Sequence, residues 1–259
     1  MDKSMKSTQG LFKSIHSLYT VERMEEMTLP SSNEMKTKQS EISSYVGKVL
    51  RDHFGKGPGS VYVSIAEPFV TIYVKDFLSA TERVLYSGNH EKTLKKTREF
   101  VMDEISDQIM TFIKKTTEID IEKLYYDWSF KNQSGVFLGV GPISQTKQLE
   151  PYKGQDTVHD EVIIMSERVE KKPEKITSAR INSRTLIVVR DGILVEIEKQ
   201  LIDDGHQEIL RKAKGKLEKR LLNVENISSH IEGEIDEYFI DWDFDRDRSF
   251  TIFILNPNE

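Results

Sequence analysis

Ile72-Tyr73-Val74-Lys75-Asp76 and, 115 residues later, Ile187-Val188-Val189-Arg190-Asp191 are one stretch written twice: an apolar run, a base and an aspartate. The correspondence extends toward the C-terminus. At an offset of 116, Glu82, Leu85, His90 and Leu94 fall on Glu198, Leu201, His206 and Leu210. At 114, Asp127-Trp128 and Phe130 fall on Asp241-Trp242 and Phe244. Offsets that drift by one residue across loops are what an old tandem duplication leaves behind.

Each copy reads as helix, hairpin, helices, hairpin. In the first, Ile42, Val46, Val49 and Leu50 recur at helical spacing until Gly55-Lys56-Gly57-Pro58-Gly59 stops the helix. Val61, Val63 and Ile65 alternate as a strand, Glu67-Pro68 turns, and Val70, Ile72 and Val74 return. A short helix follows from about Ser79, where Ser79-x-x-Glu82 has the form of a capping box. A long helix carries Leu94, Val101, Ile105, Ile109 and Phe112 on one stripe, and Ile119 to Phe130 with Val136 to Val140 closes the unit as a second hairpin.

The second copy repeats the plan with a shorter first helix (Val158, Val162, Met165) and a central strand from Thr185 to Arg190. Leu210, Leu217 and Leu221 mark its long helix, and Tyr238 to Phe244 with Phe250 to Leu255 its last hairpin. The fold class is α+β: two tandem copies of an α-ββ-αα-ββ unit, each an antiparallel sheet with helices packed on one face. The expected organisation is an N-terminal helical extension over 1–34, a first repeat over 35–142, a linker over 143–156 and a second repeat over 157–259. Trp128 and Trp242, flanked by Phe130 and Phe244 at strand spacing, are expected to enter equivalent cores. Spacing does not decide whether the copies share a cleft or lie apart.

Composition sets outer bounds. The 259 residues are 37% hydrophobic and 31% charged, enough apolar material for a core under a charged surface. The absence of cysteine excludes disulfides, thiolate catalysis and Cys-based zinc sites. A formal charge of −6 lacks the broad basic field of a nucleic-acid binder. The longest apolar stretches, Val136–Val140 and Leu186–Val189, fall far below the roughly 20 residues of a membrane helix. Met1 to Lys6 leads into no apolar run, so no secretory signal is expected. The basic pieces Lys92-Lys95-Lys96-Arg98 and Arg211-Lys212-Lys214-Lys216-Lys219-Arg220 read first as solvated helix faces, and second as a membrane-surface or partner-docking face.

The motifs narrow the chemistry. A phosphate loop needs a strand before it and a helix after it, and the glycine cluster at 55–59 has that order reversed. The run Asp241-Trp242-Asp243-Phe244-Asp245-Arg246-Asp247-Arg248 has Arg246 and Ile252 where a calcium loop needs glycine and glutamate. It reads as a polar turn with its own arginine counter-charges. No metal-ligand spacing joins the six histidines, and no cofactor motif occurs. The side chains kept in both copies are Asp76, Glu82, His90 and Asp127, with counterparts Asp191, Glu198, His206 and Asp241. They are the candidate ligand- or partner-binding set, with His90 and His206 as the pH-responsive groups. Against this stands a structural reading, in which the acids serve turns and the histidines cap helices.

Phe54-Gly55-Lys56-Gly57-Pro58, a hairpin ending in Asp76, Leu78-x-x-Thr81-Glu82-x-x-Leu85, a long helix and an Asp127 hairpin ending near Gly141-Pro142 together resemble the MpsC family. The resemblance covers about residues 37–142. The second copy departs from it: Glu170 and Lys172 stand in for Gly55 and Gly57, and Ile197 for Thr81. What the resemblance implies is association with a bacterial cation-translocating, membrane-potential-generating system whose membrane partners are linked to inorganic carbon uptake. On that footing the expected role is a non-catalytic cytoplasmic accessory or regulatory protein, peripheral to the inner face of the membrane. Its expected partners are transport-complex subunits, and a homo-oligomer stays open. The alternative from the residues is a small-ligand, anion-sensing module. A hydrolase or transferase comes third.

Overall fold

A computed structural model describes residues 32–143 and 150–256. In the first copy the elements are α1 (Ser32–Phe54), β1 (Ser60–Ala66), β2 (Phe69–Lys75), α2 (Ala80–Ser87), α3 (Glu91–Thr117), β3 (Lys123–Ser129) and β4 (Ser134–Val140). In the second they are α4 (Gln155–Val169), β5 (Lys175–Asn182), β6 (Thr185–Asp191), α5 (Glu196–Asp203), α6 (Gln207–Leu221), α7 (Val224–His230), β7 (Glu234–Asp243) and β8 (Arg248–Asn256). The fold is α+β with two similar units, each holding a four-stranded antiparallel sheet, ordered β1-β2-β4-β3 and β5-β6-β8-β7. Of the helical extension expected over 1–34, residues 1–31 lie outside the described residues and Ser32 to Glu34 begin α1. Of the stretch 143–156, Gln155 and Asp156 already belong to α4.

Local signals place most elements. Gly55, at φ 72°, ends α1 in a conformation that costs glycine nothing. Ser79 and Glu82 form the capping box that opens α2. The two copies differ at their long helix. The 27 residues of α3 correspond to a 15-residue α6 and a separate 7-residue α7, which opens where the Asn223 side chain accepts the Asn226 amide.

Each sheet is covered on both faces. On one side of the first sheet, Ile42, Val46 and Leu50 of α1 and Met102, Ile105 and Ile109 of α3 pack on Val70, Ile72 and Phe137. Its other face meets the second sheet directly: Phe69, Tyr73, Tyr125 and Leu138 share one cluster with Ile187, Val189, Phe239, Phe250 and Ile252. The helices of the second copy lie beyond, so the layers run helix, sheet, sheet, helix. This explains why β2, β4, β6 and β8 are buried along nearly their whole length while β1 and β5 are half-exposed.

The face each residue takes corrects the alignment of the paired stretches. Val70, Ile72 and Val74 point to the helices and Tyr73 enters the core between sheets. In the second copy Leu186 and Val188 take the helix side, and Ile187 and Val189 lie between the sheets. An offset of 115 would turn every residue to the wrong face, because side chains alternate along a strand. The true offset is 116: Tyr73 matches Val189, and Asp76 at φ 53° matches Gly192 at φ 67°. Asp191, the last residue of β6, is therefore displaced by one from the position of Asp76.

Trp128 and Trp242 both lie on the helix side of their sheets, 7% and 3% exposed. Gly135 on β4 makes room for Trp128, since a Cβ there would stand 2.3 Å from the indole. Truncating either tryptophan to Ala should cost about 3–5 kcal/mol in chemical denaturation. Gly135→Ala should destabilise through the same contact. Wild-type midpoints for these variants would contradict the strand register.

Candidate functional site

Of the matched residues, Asp127 and Asp241 are brought closest to one another's surroundings. They lie on β3 and β7, the outer strands of the two sheets, whose outward amides have no neighbouring strand to bond. Asp127 accepts the amide of Trp128 in its own strand at 2.8 Å and that of Ile240 across the seam at 3.2 Å. Asp241 does the reciprocal, accepting Trp242 at 2.8 Å and Tyr126 at 3.1 Å. All four bonds obey the 114 offset, so the duplication has produced a pseudo-twofold clamp. Lys219 and Arg211, both on α6, pair with Asp127 and Asp241 respectively. Burial pushes the Asp241 carboxyl above its usual range against the pull of Arg211. Burial also opposes the charge of Lys219, but Asp127 outweighs it and holds that ammonium above the ordinary value.

The rest of the seam is asymmetric. Glu237 of the second copy accepts Tyr73 Oη at 3.0 Å, Ser134 Oγ at 2.6 Å and Asn132 Nδ2 at 2.7 Å, all from the first. Asp243 accepts Tyr125 Oη at 2.6 Å and Lys123 Nζ at 3.0 Å. Asp243 thus locks one sheet to the other, while Trp242 and Phe244 enter the core beside it.

Glu82 and Glu198 make the second matched feature. Each faces a cation 16 residues on: Glu82 binds Arg98 at 2.7 Å and Glu198 binds Lys214 at 3.0 Å. Each also accepts the amide that opens its short helix, from Ser79 at 2.8 Å and Val195 at 3.0 Å. In the first copy, four rings enclose Arg98: Trp128 at 4.3 Å, Phe77 at 4.7 Å, and Phe54 and Phe130 at 5.4 Å. Burial works against the Glu82 carboxylate, yet Arg98 prevails and keeps its pKa below the ordinary value.

In the second copy the same space holds charges. At the 116 offset Glu170 replaces Phe54, Ser166 replaces Leu50, Arg190 replaces Val74 and Glu218 replaces Met102. Arg190 pairs with Glu218 at 2.6 Å and Glu170 at 3.2 Å, and Lys214 pairs with Glu170 as well as Glu198. Ser166, Ser249 and the Trp242 indole complete the hydrogen bonding. This network divides the helix-side core into two apolar clusters, where the first copy has one. Three carboxylates face two cations there. Burial raises the Glu198 pKa and draws the Lys214 ammonium down to about 8.

The remaining candidates are dispersed. His90 and His206 occupy the residue before α3 and α6, are exposed, and neither ring makes a capping hydrogen bond, contrary to the capping role. Among the described residues no hydrogen bond or ion pair joins His90 to Asp76 or Glu82, or His206 to Asp191 or Glu198. Asp76 is exposed. Asp191 pairs with Arg248, and the loop amides after β6, those of Ile193 and Leu194, go to Asp247 at 2.8 Å. Sequence reasoning missed Arg98, Lys214, Arg190, Glu218 and Glu237 as partners. A signal did exist for Arg190 and Glu218: charges at positions where the other copy has Val74 and Met102. It becomes visible only once the 116 offset is established.

Two outcomes follow from this geometry. Asp127→Ala or Asp241→Ala strands two amides and one cation, and should lower stability by roughly 1–3 kcal/mol. Asn at either site should cost less, because it still accepts the amides. Lys214 in turn should titrate near pH 8 by side-chain nitrogen NMR, and Glu198→Gln should lower that value by removing a carboxylate partner. The folded-state pKa lies below the 10.5 of an unperturbed lysine, so folding expels this proton in between. The contribution of Lys214 to stability is then least favourable below about pH 8 and improves toward 10.5.

Neither the curated proteins nor the solved structures gave a match to the chain. A family model described as "Na+-translocating membrane potential-generating system (MpsC)" matches twice, over residues 34–140 and 161–257. The second match covers α4 from Glu161 onward and the rest of the charged copy, so divergence of its core has not erased the pattern. The chain belongs to the MpsC family and carries two copies of its unit in tandem.

Proposed function

We propose that this chain is a non-catalytic accessory or regulatory protein of the membrane-potential-generating, inorganic-carbon-linked system with which its family is associated. It acts from the cytoplasm at the inner face of the membrane, and the cation crosses through partner subunits. The family match supports the association. The observation that carries the accessory role is the use made of the matched acids. Asp127 and Asp241 tie sheet to sheet, and Glu82 and Glu198 are spent on buried cations and helix starts. The duplication thus keeps one pair of acids for the seam between the units and another for the helix side of each core. Among the described residues no helix is long and apolar enough to cross a membrane.

Deleting the gene in its native host should lower the membrane potential reported by a voltage-sensitive dye and raise the requirement for added inorganic carbon. Affinity purification should bring down membrane subunits of the system. Unchanged potential and carbon requirement, with only unrelated partners recovered, would refute the assignment. Complementation by the Asp127→Ala, Asp241→Ala double variant should be weaker than by wild type, because it loosens the sheet-to-sheet seam.

A further inference from the structure

Away from the aspartate clamp the sheets part into a cleft of about 400 Å³, a volume within the range of small-molecule sites. Its walls come from both copies: β1, β2 and the middle of α1 from the first, and the β5–β6 turn, the start of β7 and the end of β8 from the second. Three side chains give it chemical character.

Arg184 stands in the β5–β6 turn. Its backbone is fixed on both sides, its amide donating to Asn182 Oδ1 and its carbonyl accepting from Leu255, each at 2.8 Å. Its guanidinium is exposed and makes no hydrogen bond or ion pair among the described residues. Thr71 lies on the inter-sheet face of β2 at 1% exposure, and its Oγ1 has no hydrogen-bond partner. An unsatisfied buried hydroxyl costs roughly 1–3 kcal/mol, which a ligand able to bond it would recover. Tyr62 is 45% exposed with its ring stacked on Tyr73, so it presents a flat apolar face to the cleft.

The charge balance selects the ligand. Lys75 and Arg184 are the bases in the lining and Asp236 the acid, which leaves the cleft positive on a chain of net charge −6. Asp236 is engaged with Lys75 at 3.0 Å. Arg184 is therefore the cation left for a ligand. Around it, Ser64 and Thr185 share a hydrogen bond at 2.9 Å and Asn182 donates to Ser64 at 2.8 Å, which braces the polar wall.

We propose that this cleft binds a small organic anion, with its carboxylate or phosphate on Arg184 and its body hydrogen-bonded to Thr71 and lying against Tyr62. Because both copies supply the walls, the bound anion braces one sheet against the other and gives the accessory protein a ligand-dependent state. This inference does not depend on the assignment to a transport system, since it is read with purified protein alone.

The test is calorimetric titration and thermal melting of the full chain with AMP, citrate and inorganic phosphate. At least one organic probe should bind saturably and raise the melting temperature, with inorganic phosphate binding more weakly. Arg184→Ala should weaken the organic probe by roughly tenfold or more, the loss of a charge-assisted hydrogen bond, without changing the melting temperature of the free protein. Thr71→Val should leave the free protein as stable or more so while lowering affinity, a pairing that a purely structural threonine would not give. Lys212→Ala, on an exposed face of α6, should bind like wild type. Failure of all three probes to saturate would overturn the proposal. So would wild-type affinity in both cleft variants, or binding of inorganic phosphate equal to that of the organic probes.

Discussion

Outer strands of a sheet leave a row of backbone amides without partners, and this molecule meets that constraint with a carboxylate used twice. Asp127 bonds one amide of β3 and one of β7, and Asp241 bonds the complementary two. The arrangement blunts two exposed edges, which would otherwise be templates for pairing with other chains. It also fixes how the sheets cross, because each acid must reach both strands at once. The apolar layer between the sheets supplies area, but apolar contact is non-directional. The clamp supplies register, and the rest of the seam is arranged around it.

The two copies then diverge in how they fill the space between sheet and helices. Both keep a cation on the long helix opposite a glutamate on the short one. In the first, Arg98 is surrounded by aromatic faces, whose negative quadrupoles compensate a buried guanidinium without further acids. In the second, Phe54 has become Glu170 and Met102 has become Glu218, and lysine has replaced arginine. An ammonium is strongly hydrated and lacks the flat face suited to an aromatic cage, so carboxylates take over its compensation. Replacing a buried ion-pair network with apolar residues is frequently neutral or stabilising, so the network is weak evidence of added stability. What it adds is a buried ammonium, Lys214, which desolvation draws down from 10.5 to about 8.

This difference bears on function. In this member of a family associated with membrane potential, the paired acids Asp127 and Asp241 bond backbone amides, Glu82 and Glu198 bond buried cations, and burial in the second copy draws the Lys214 ammonium down to about 8. The two copies, joined by a seam drawn from both, thus compensate a buried cation differently, with aromatic rings in the first and carboxylates in the second.

The repeat, the antiparallel hairpins, the capping box at Ser79 and the inward tryptophans are all determined by the sequence itself, because periodicity, turn chemistry and caps act over a few residues. Although Asp76 falls opposite Gly192 and not Asp191, the matched pairs at Glu82, His90 and Asp127 were likewise visible, as were the acids of the last hairpin. Their partners were not. Nothing local connects Asp127 to the Ile240 amide or Glu237 to Tyr73, or brings Arg184 and Thr71 into the lining of one cleft, since those arrangements exist only where one sheet lies on the other. The offset of 115 at the central strands illustrates the limit. Identity of residue type favoured it, but only the alternation of faces in the packed sandwich turned it to 116, because a one-residue slip puts every side chain on the wrong side of its sheet.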